Sequence, residues 1–231
     1  MSDGPNEFKC VLPTWDYIYD LCRDVSNDVK RDAFEPDVVV ALARGGWFGG
    51  RCVCDFLGLD DLLSIKVEHY VGTAERGDEA TVRYPMPEGS VENKDVLVLD
   101  DIAETGQSIE CAHDYVTNRN PGEVRTALLQ LLPECDYQPD YVGEELDEWA
   151  WNVYPWNFVE DMVELVEKVF AQTDDEEYAL GDIHRYLREF YGIEPITLEV
   201  AQPNRLPEVL AEMERQGIVE RVDDETWAVS D

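Results

Sequence analysis

One stretch constrains this chain more than any other: Val96-Leu97-Val98-Leu99-Asp100-Asp101-Ile102-Ala103-Glu104-Thr105-Gly106-Gln107-Ser108. Its run of branched apolar residues reads as a strand buried on both faces and parallel to its neighbours. Two adjacent carboxylates are expected to end that strand. A short polar loop with one glycine follows, and a helix is expected to start near Gln107. A junction of this kind suits an anion, and a phosphorylated sugar in particular. Backbone N–H groups from Thr105 to Ser108 can point at phosphate oxygens, and the helix dipole favours the negative charge. The hydroxyls of Thr105 and Ser108 add donors. Asp100 and Asp101 are acceptors suited to vicinal hydroxyls or to a magnesium ion shared with a ligand. A plain helix cap needs one such residue, whereas here the whole turn is polar.

The flanking pattern supports a parallel sheet. Residues 14–33 carry a helical stripe (Trp15, Ile18, Leu21, Cys22, Val25, Val29) with Thr14 as a plausible N-cap. Val38 to Ala43 reads as a buried strand, Arg44-Gly45-Gly46 as a turn, and the residues through about Leu57 as a short helix. Leu62 to Tyr70 reads as a third strand. Residues 71–94 read as a long mobile loop, with a short β-ribbon as an option; long loops in compact domains are usually functional. Val124 to Leu132 is a further strand. Strand–helix alternation implies an α/β fold, a parallel sheet with helices on both faces. Ligands then bind at the C-terminal strand ends, where Arg44-Gly45-Gly46 and Asp100–Ser108 both fall.

The pattern changes after Pro139. Trp149, Trp151, Tyr154 and Trp156 cluster around Pro155, and Val159 to Phe170 reads as an amphipathic helix. The acidic patch Asp174 to Glu177 reads as a linker. Beyond it, a helix near 179–191, an extended Ile196 to Val200, a helix near 205–216 and a ribbon over 218–229 suggest a small winged-helix-like α+β unit. The expected division is residues 1–172 and 178–231.

The chain has 52 acidic and 18 basic residues among 231, a formal net charge of -34. It is also 44% hydrophobic, with 6 Trp and 11 Tyr, which excludes an acidic disordered chain. An acid excess over a normal core suits concentrated salt, because at about 1 M the Debye length is about 3 Å and surface repulsion is screened. Net charge gives no support to nucleic-acid binding; any such contact would be confined to the C-terminal unit. No signal-like or membrane-spanning apolar run is seen, so a cytoplasmic location is expected. Six cysteines (10, 22, 52, 54, 111, 135) lack CxxC spacing and read as reduced thiols rather than metal ligands.

The Val96–Ser108 run resembles the 5-phosphoribosyl-1-pyrophosphate (PRPP) signature of type I phosphoribosyltransferases: an apolar strand, Asp-Asp, and Thr-Gly-x-Ser. With Glu35 to Gly46 and Trp151-Asn152-Val153-Tyr154-Pro155-Trp156, the resemblance covers about residues 13–170 and is nearest to the bacterial and archaeal xanthine–guanine/hypoxanthine branch. It implies transfer of a phosphoribosyl group from PRPP to a purine base, with Mg²⁺, in a homo-oligomer. It implies PRPP contacts from Arg44, Gly45 and Gly46 and from Asp100, Asp101, Ala103, Glu104, Thr105, Gly106, Gln107 and Ser108. The Arg44 fork and the two glycines suit pyrophosphate. Glu104 stands where relatives carry Asp and is implied to handle the purine N7 proton. Trp151 matches the aromatic that stacks on the base, with Asn152 beside it; Trp149 and Trp156 read as a cluster closing the domain. Lys66 and His69 end the third strand, and Lys66 is either a phosphate contact or a strand-edge charge. Arg76 and Arg83 are loop charges, one of which could close over pyrophosphate. The 6-oxopurine enzymes place a lysine at the end of the strand after the signature helix. Here Leu129-Gln130-Leu131-Leu132-Pro133-Glu134 has none, and Gln130 is the candidate donor. The competing reading is a PRPP sensor whose C-terminal unit binds DNA or a protein partner.

Overall fold

The computed structural model describes residues 8–70, 79–173 and 175–230. The chain forms two compact units: Asp16–Trp149, and the residues up to Trp15 together with those from Ala150 onward.

In chain order the elements begin with β1 (Cys10–Val11), α1 (Trp15–Arg31), β2 (Val38–Ala43), α2 (Gly46–Leu57), β3 (Leu62–Tyr70) and β4 (Glu79–Tyr84). β5 (Val96–Ala103), α3 (Gln107–Thr117), β6 (Val124–Leu131) and β7 (Tyr141–Glu145) follow. A six-stranded sheet of order β4-β3-β2-β5-β6-β7 forms the first unit. β3, β2, β5, β6 and β7 run parallel, and β4 is antiparallel at the edge. The α/β parallel fold expected from the sequence is therefore present.

Alternation along the strands sorts the core into two layers. Val38, Val40, Val96, Val98 and Leu128 pack with Ile109, Ala112 and Val116 of α3. Leu99 and Leu129 face α2, where a Cβ on Gly49 would lie 3.1 and 3.0 Å from their methyl carbons. A Cβ on Gly50 would lie 2.8 Å from that of Ala41. Glycine costs an isolated helix about 1 kcal/mol relative to alanine. Here it lets α2 close onto the sheet, and this places the first turn of α2 over the strand ends.

Two local readings are corrected. The acids do not end the strand, because β5 runs through Ala103 and pairs with β6 as far as Ala103–Leu131. The ladder to β2 stops short of the acids, at Ala41–Leu99. The carboxylates serve the backbone beyond it: Asp101 N–H donates to Asp100 Oδ1 at 3.0 Å, and Ile102 N–H to Asp101 Oδ1 at 2.9 Å. Second, the chain after Pro139 adds β7, an edge strand too polar to stand out in sequence. The short β-ribbon left open within residues 71–94 is present at 79–84, as β4 paired antiparallel with β3, whereas Arg76 and the rest of 71–78 lie outside the described residues.

The second unit holds β1, paired in parallel with β8 (Trp151–Asn152), then α4 (Phe158–Gln172) and β9 (Glu177–Ala179). α5 (Leu180–Tyr191), α6 (Pro195–Ala201), α7 (Leu206–Gln216), β10 (Val219–Arg221) and β11 (Thr226–Val229) complete it. Residues 196–200 are thus helical, not extended. Pro195 opens the helix, and Leu198 and Ala201 face inward at helical spacing. Met162, Val166 and Val169 of α4 share one core with Tyr178, Leu187, Val209, Met213 and Trp227. Because of that core the compact units part at residue 149, not at the acidic stretch between 172 and 178. Among the described residues no helix is long and apolar enough to cross a membrane.

Candidate active site

The β2 and β5 strand ends lie side by side, and each releases one of the predicted loops. After β2 the chain turns through Arg44, Gly45 and Gly46; the Ala43–Arg44 peptide is cis. Trp47 N–H donates to Arg44 O at 3.3 Å, closing the turn into α2. A Cβ at Gly45 would lie 1.8 Å from Asp101 Oδ2, and one at Gly46 would lie 2.8 Å from Leu99 O. The turn therefore rests directly against the acidic pair, and only glycine fits at those two positions.

Burial, followed by the charge of Asp101, raises the Asp100 carboxyl well above its ordinary value; N–H bonds from Asp101 and Gly46 oppose this. Two carboxylates packed this closely favour a cation between them and a ligand. Among the described residues no group of three or more His, Cys, Asp or Glu could hold a metal ion alone. Two carboxylates plus substrate oxygens is a usual magnesium arrangement, and the Asp100–Asp101 pair fits it.

The second loop forms a pocket of about 300 Å³ lined by Asp100 and Ile102 through Ile109. Gly106 caps α3 in the left-handed region at φ 86°, where side chains are disfavoured. The first turn of α3 therefore presents backbone N–H groups to the pocket. Thr105 Oγ1 accepts from Gln107 N–H at 3.4 Å. A Cβ on Gly106 would lie 2.2 Å from the Cβ of Tyr137 and 3.0 Å from Cys135 Sγ. The 135–137 segment thus backs the loop, a support that sequence spacing gave no sign of.

Comparison with known proteins agrees with this geometry. The model of the phosphoribosyl transferase domain matches residues 14–161, well over half of the chain. This chain belongs to that family. Hypoxanthine-guanine phosphoribosyltransferase of Staphylococcus aureus is 27% identical over 151 residues, covering 62% of this chain and 82% of the relative. The crystal structure of a purine phosphoribosyltransferase from Pyrococcus horikoshii aligns with TM-score 0.57 at 26% identity, over 64% of this chain and 93% of that one. A hypoxanthine phosphoribosyltransferase from Staphylococcus aureus aligns with TM-score 0.51 at 25% identity, over 61% and 79%.

The remaining predicted residues of this phosphoribosyltransferase-family chain fall in different places. Lys66 pairs in register with Ala43, at the same sheet edge as Arg44. Its Nζ lies 2.6 Å from Glu68, which also takes Arg83 at 2.6 Å. Gln130 is buried, and its amide donates at 3.0 Å both to Tyr17 Oη and to Glu144 Oε2. Both amide hydrogens thus serve a half-buried polar cluster that also contains a Tyr17–Glu144 hydrogen bond. Burial, then Glu144, raises the Tyr17 hydroxyl. Trp151 and Asn152 lie in the second unit, on β8. Trp151 is 42% exposed and its ring centre is 6.3 Å from that of Phe8, while Asn152 Nδ2 donates to Ala150 O at 3.2 Å. Trp156 stacks on Tyr154 at 4.7 Å, in keeping with its reading as cluster packing. Trp149 departs from that reading, because its indole Nε1–H donates to Glu104 Oε1 at 3.1 Å. The side chain of His69 lies outside what is described.

Proposed function

We propose that this protein transfers the 5-phosphoribosyl group of PRPP to a purine base, forming the nucleotide and releasing pyrophosphate. One observation carries the reading: the Gly45–Gly46 turn and the Gly106 cradle meet at the ends of adjacent strands, with Asp100 and Asp101 between them. The cradle amides and the Thr105 and Ser108 hydroxyls hold the 5-phosphate. Asp100 and Asp101 accept from the ribose hydroxyls. Arg44 and the glycine turn take the pyrophosphate, with Lys66 at the same edge. Asp100 and Asp101 would hold a magnesium ion arriving with PRPP, which would supply charge to stabilise the departing pyrophosphate.

The transition state resembles an oxocarbenium ion, so the residues act by aligning the reactants and by holding the leaving charge. Glu104 sits at the mouth of the cradle and handles the proton of the base ring. Trp151, carried over from the family resemblance, is the stacking ring. The named relatives act on purines. The absent lysine leaves the ranking among purines to be measured. The acid excess suits work in concentrated salt, in the cytoplasm. Residues 178–231, winged-helix-like and sharing their core with α4, are read as a docking or dimer-supporting part of the second unit rather than a DNA reader: the apolar face of α7 is buried, and Glu208 and Glu214 are on its exposed side.

The test is turnover. Hypoxanthine, guanine, xanthine and adenine are each supplied with PRPP and magnesium at high salt, and pyrophosphate and nucleotide are measured. Consumption of at least one base supports the transferase. PRPP binding with no base consumed would favour the sensor.

A further inference from the structure

Trp149 stands 45 residues beyond Glu104, yet the two side chains share a hydrogen bond of 3.1 Å. The sheet brings them together. Ala103 pairs with Leu131, and Leu131 pairs with Glu145, so Glu104 and the end of β7 are two strands apart. Leu146 N–H donates to Leu131 O at 2.8 Å, extending the ladder by one residue. Two strand spacings are about 10 Å, a distance that about three extended residues can span. The chain from 147 to 149 is long enough to return over the strand ends and deliver an indole to the β5 loop.

The chemistry of the donor matters. An indole N–H is donor only and carries no charge. It fixes one carboxylate oxygen without cancelling the negative charge of the group, as a lysine or arginine partner would. The glutamate side chain has three rotatable bonds and is exposed at this position, so without a partner its carboxylate samples many positions. We propose that Trp149 is a positioning residue for Glu104: its indole N–H holds one oxygen so that the other meets the ring N–H of the incoming purine. The proposal rests on the transferase reading above. It gives Trp149 a function separate from the stacking role assigned to Trp151.

Trp149→Phe tests it, since the ring and most of its volume remain while the N–H is lost. The first readout needs no turnover. The indole ¹H–¹⁵N resonance of Trp149 is identified by its loss in Trp149→Phe, then followed in Glu104→Asp, whose shorter side chain withdraws the carboxylate. The resonance is expected to move, and an unmoved resonance overturns the proposal. The second readout is kinetic. Trp149→Phe is expected to lower kcat about tenfold, with the KM for PRPP within about twofold, as loss of one charge-assisted hydrogen bond implies. In the Glu104→Asp background the same change is expected to cost nothing further. Effects that multiply, or a rise in the KM for base with kcat unchanged, would make Trp149 a binding surface and overturn the positioning role. If the unaltered protein consumes no purine, the transferase reading falls first and the positioning role with it. That outcome is distinguished by the unaltered protein alone.

Discussion

A Cβ on Gly45 would lie 1.8 Å from Asp101 Oδ2, so the turn that follows one strand is shaped against the carboxylate of the next. Asp101 cannot simply swing aside, because it is buried and its other oxygen accepts from Ile102 N–H at 2.9 Å. Gly45→Ala must therefore displace the acid or the turn. Overpacking of this kind costs about 1–3 kcal/mol. The expected result is a lower melting temperature together with more than about tenfold weaker PRPP binding by calorimetry. A variant that binds PRPP normally would show that the turn and the acid pair do not form one site.

Gly106 is constrained twice, by a φ of 86° and by the Tyr137 Cβ 2.2 Å from where its own Cβ would stand. Left-handed backbone alone costs a side chain about 1–2 kcal/mol. Gly106→Val is expected to abolish PRPP binding and also to lower stability, since the 135–137 segment must move. Circular dichroism separates the two effects: a folded variant with unchanged PRPP affinity would place the 5-phosphate elsewhere.

The acid pair makes a prediction about pH. Burial and the Asp101 charge raise the Asp100 carboxyl above the ordinary 3.8. The folded protein therefore binds this proton more tightly than the unfolded chain does. The contribution of this group to stability is present at low pH and falls as pH rises from about 3.8 toward the raised value. Asp100→Asn should then melt higher than the unaltered protein at neutral pH, with the gap closing in acid, and should bind PRPP with magnesium less well. A variant less stable at neutral pH would contradict the sign.

Gln130 shows where sequence reading ran out. Its position at a strand end was legible, but its partners were not, because Tyr17 and Glu144 come from distant parts of the chain. With both amide hydrogens used inside the protein, Gln130→Leu is expected to cost about 1–3 kcal/mol of stability while leaving the ranking of bases unchanged. A changed ranking would return Gln130 to the base site.

Other features divide in the same way. The strands Val38–Ala43 and Val96–Ala103 were legible because strands buried on both faces must be apolar throughout. β7 was not, because an edge strand reading Tyr-Val-Gly-Glu-Glu carries little apolar signal. α6 was misread because Ile196 and Val200 favour strands by type, yet both are exposed and Leu198 sets the inward face. The phosphate cradle was legible because its residues are contiguous. The contacts of Gly45 with Asp101 and of Trp149 with Glu104 were hidden, since each depends on the sheet bringing distant residues together.

The second unit yields a prediction about truncation. Its core runs from Cys10 and Leu12 through α4 to Trp227. Removing residues 178–231 should expose the apolar face of α4 rather than release an independent domain. The truncated chain is expected to aggregate or to lose hydrogen-exchange protection over 158–172. A soluble truncation with α4 still protected would show that the unit divides where the acidic stretch lies.

The most direct test of phosphoribosyl transfer is pyrophosphate release on mixing the protein with PRPP, magnesium and each of the four purines at high salt, beside Gly106→Val. The unaltered protein is expected to form a nucleotide from at least one purine, with pyrophosphate in equal amount, and the variant to form none. PRPP binding without consumption of any purine would contradict it.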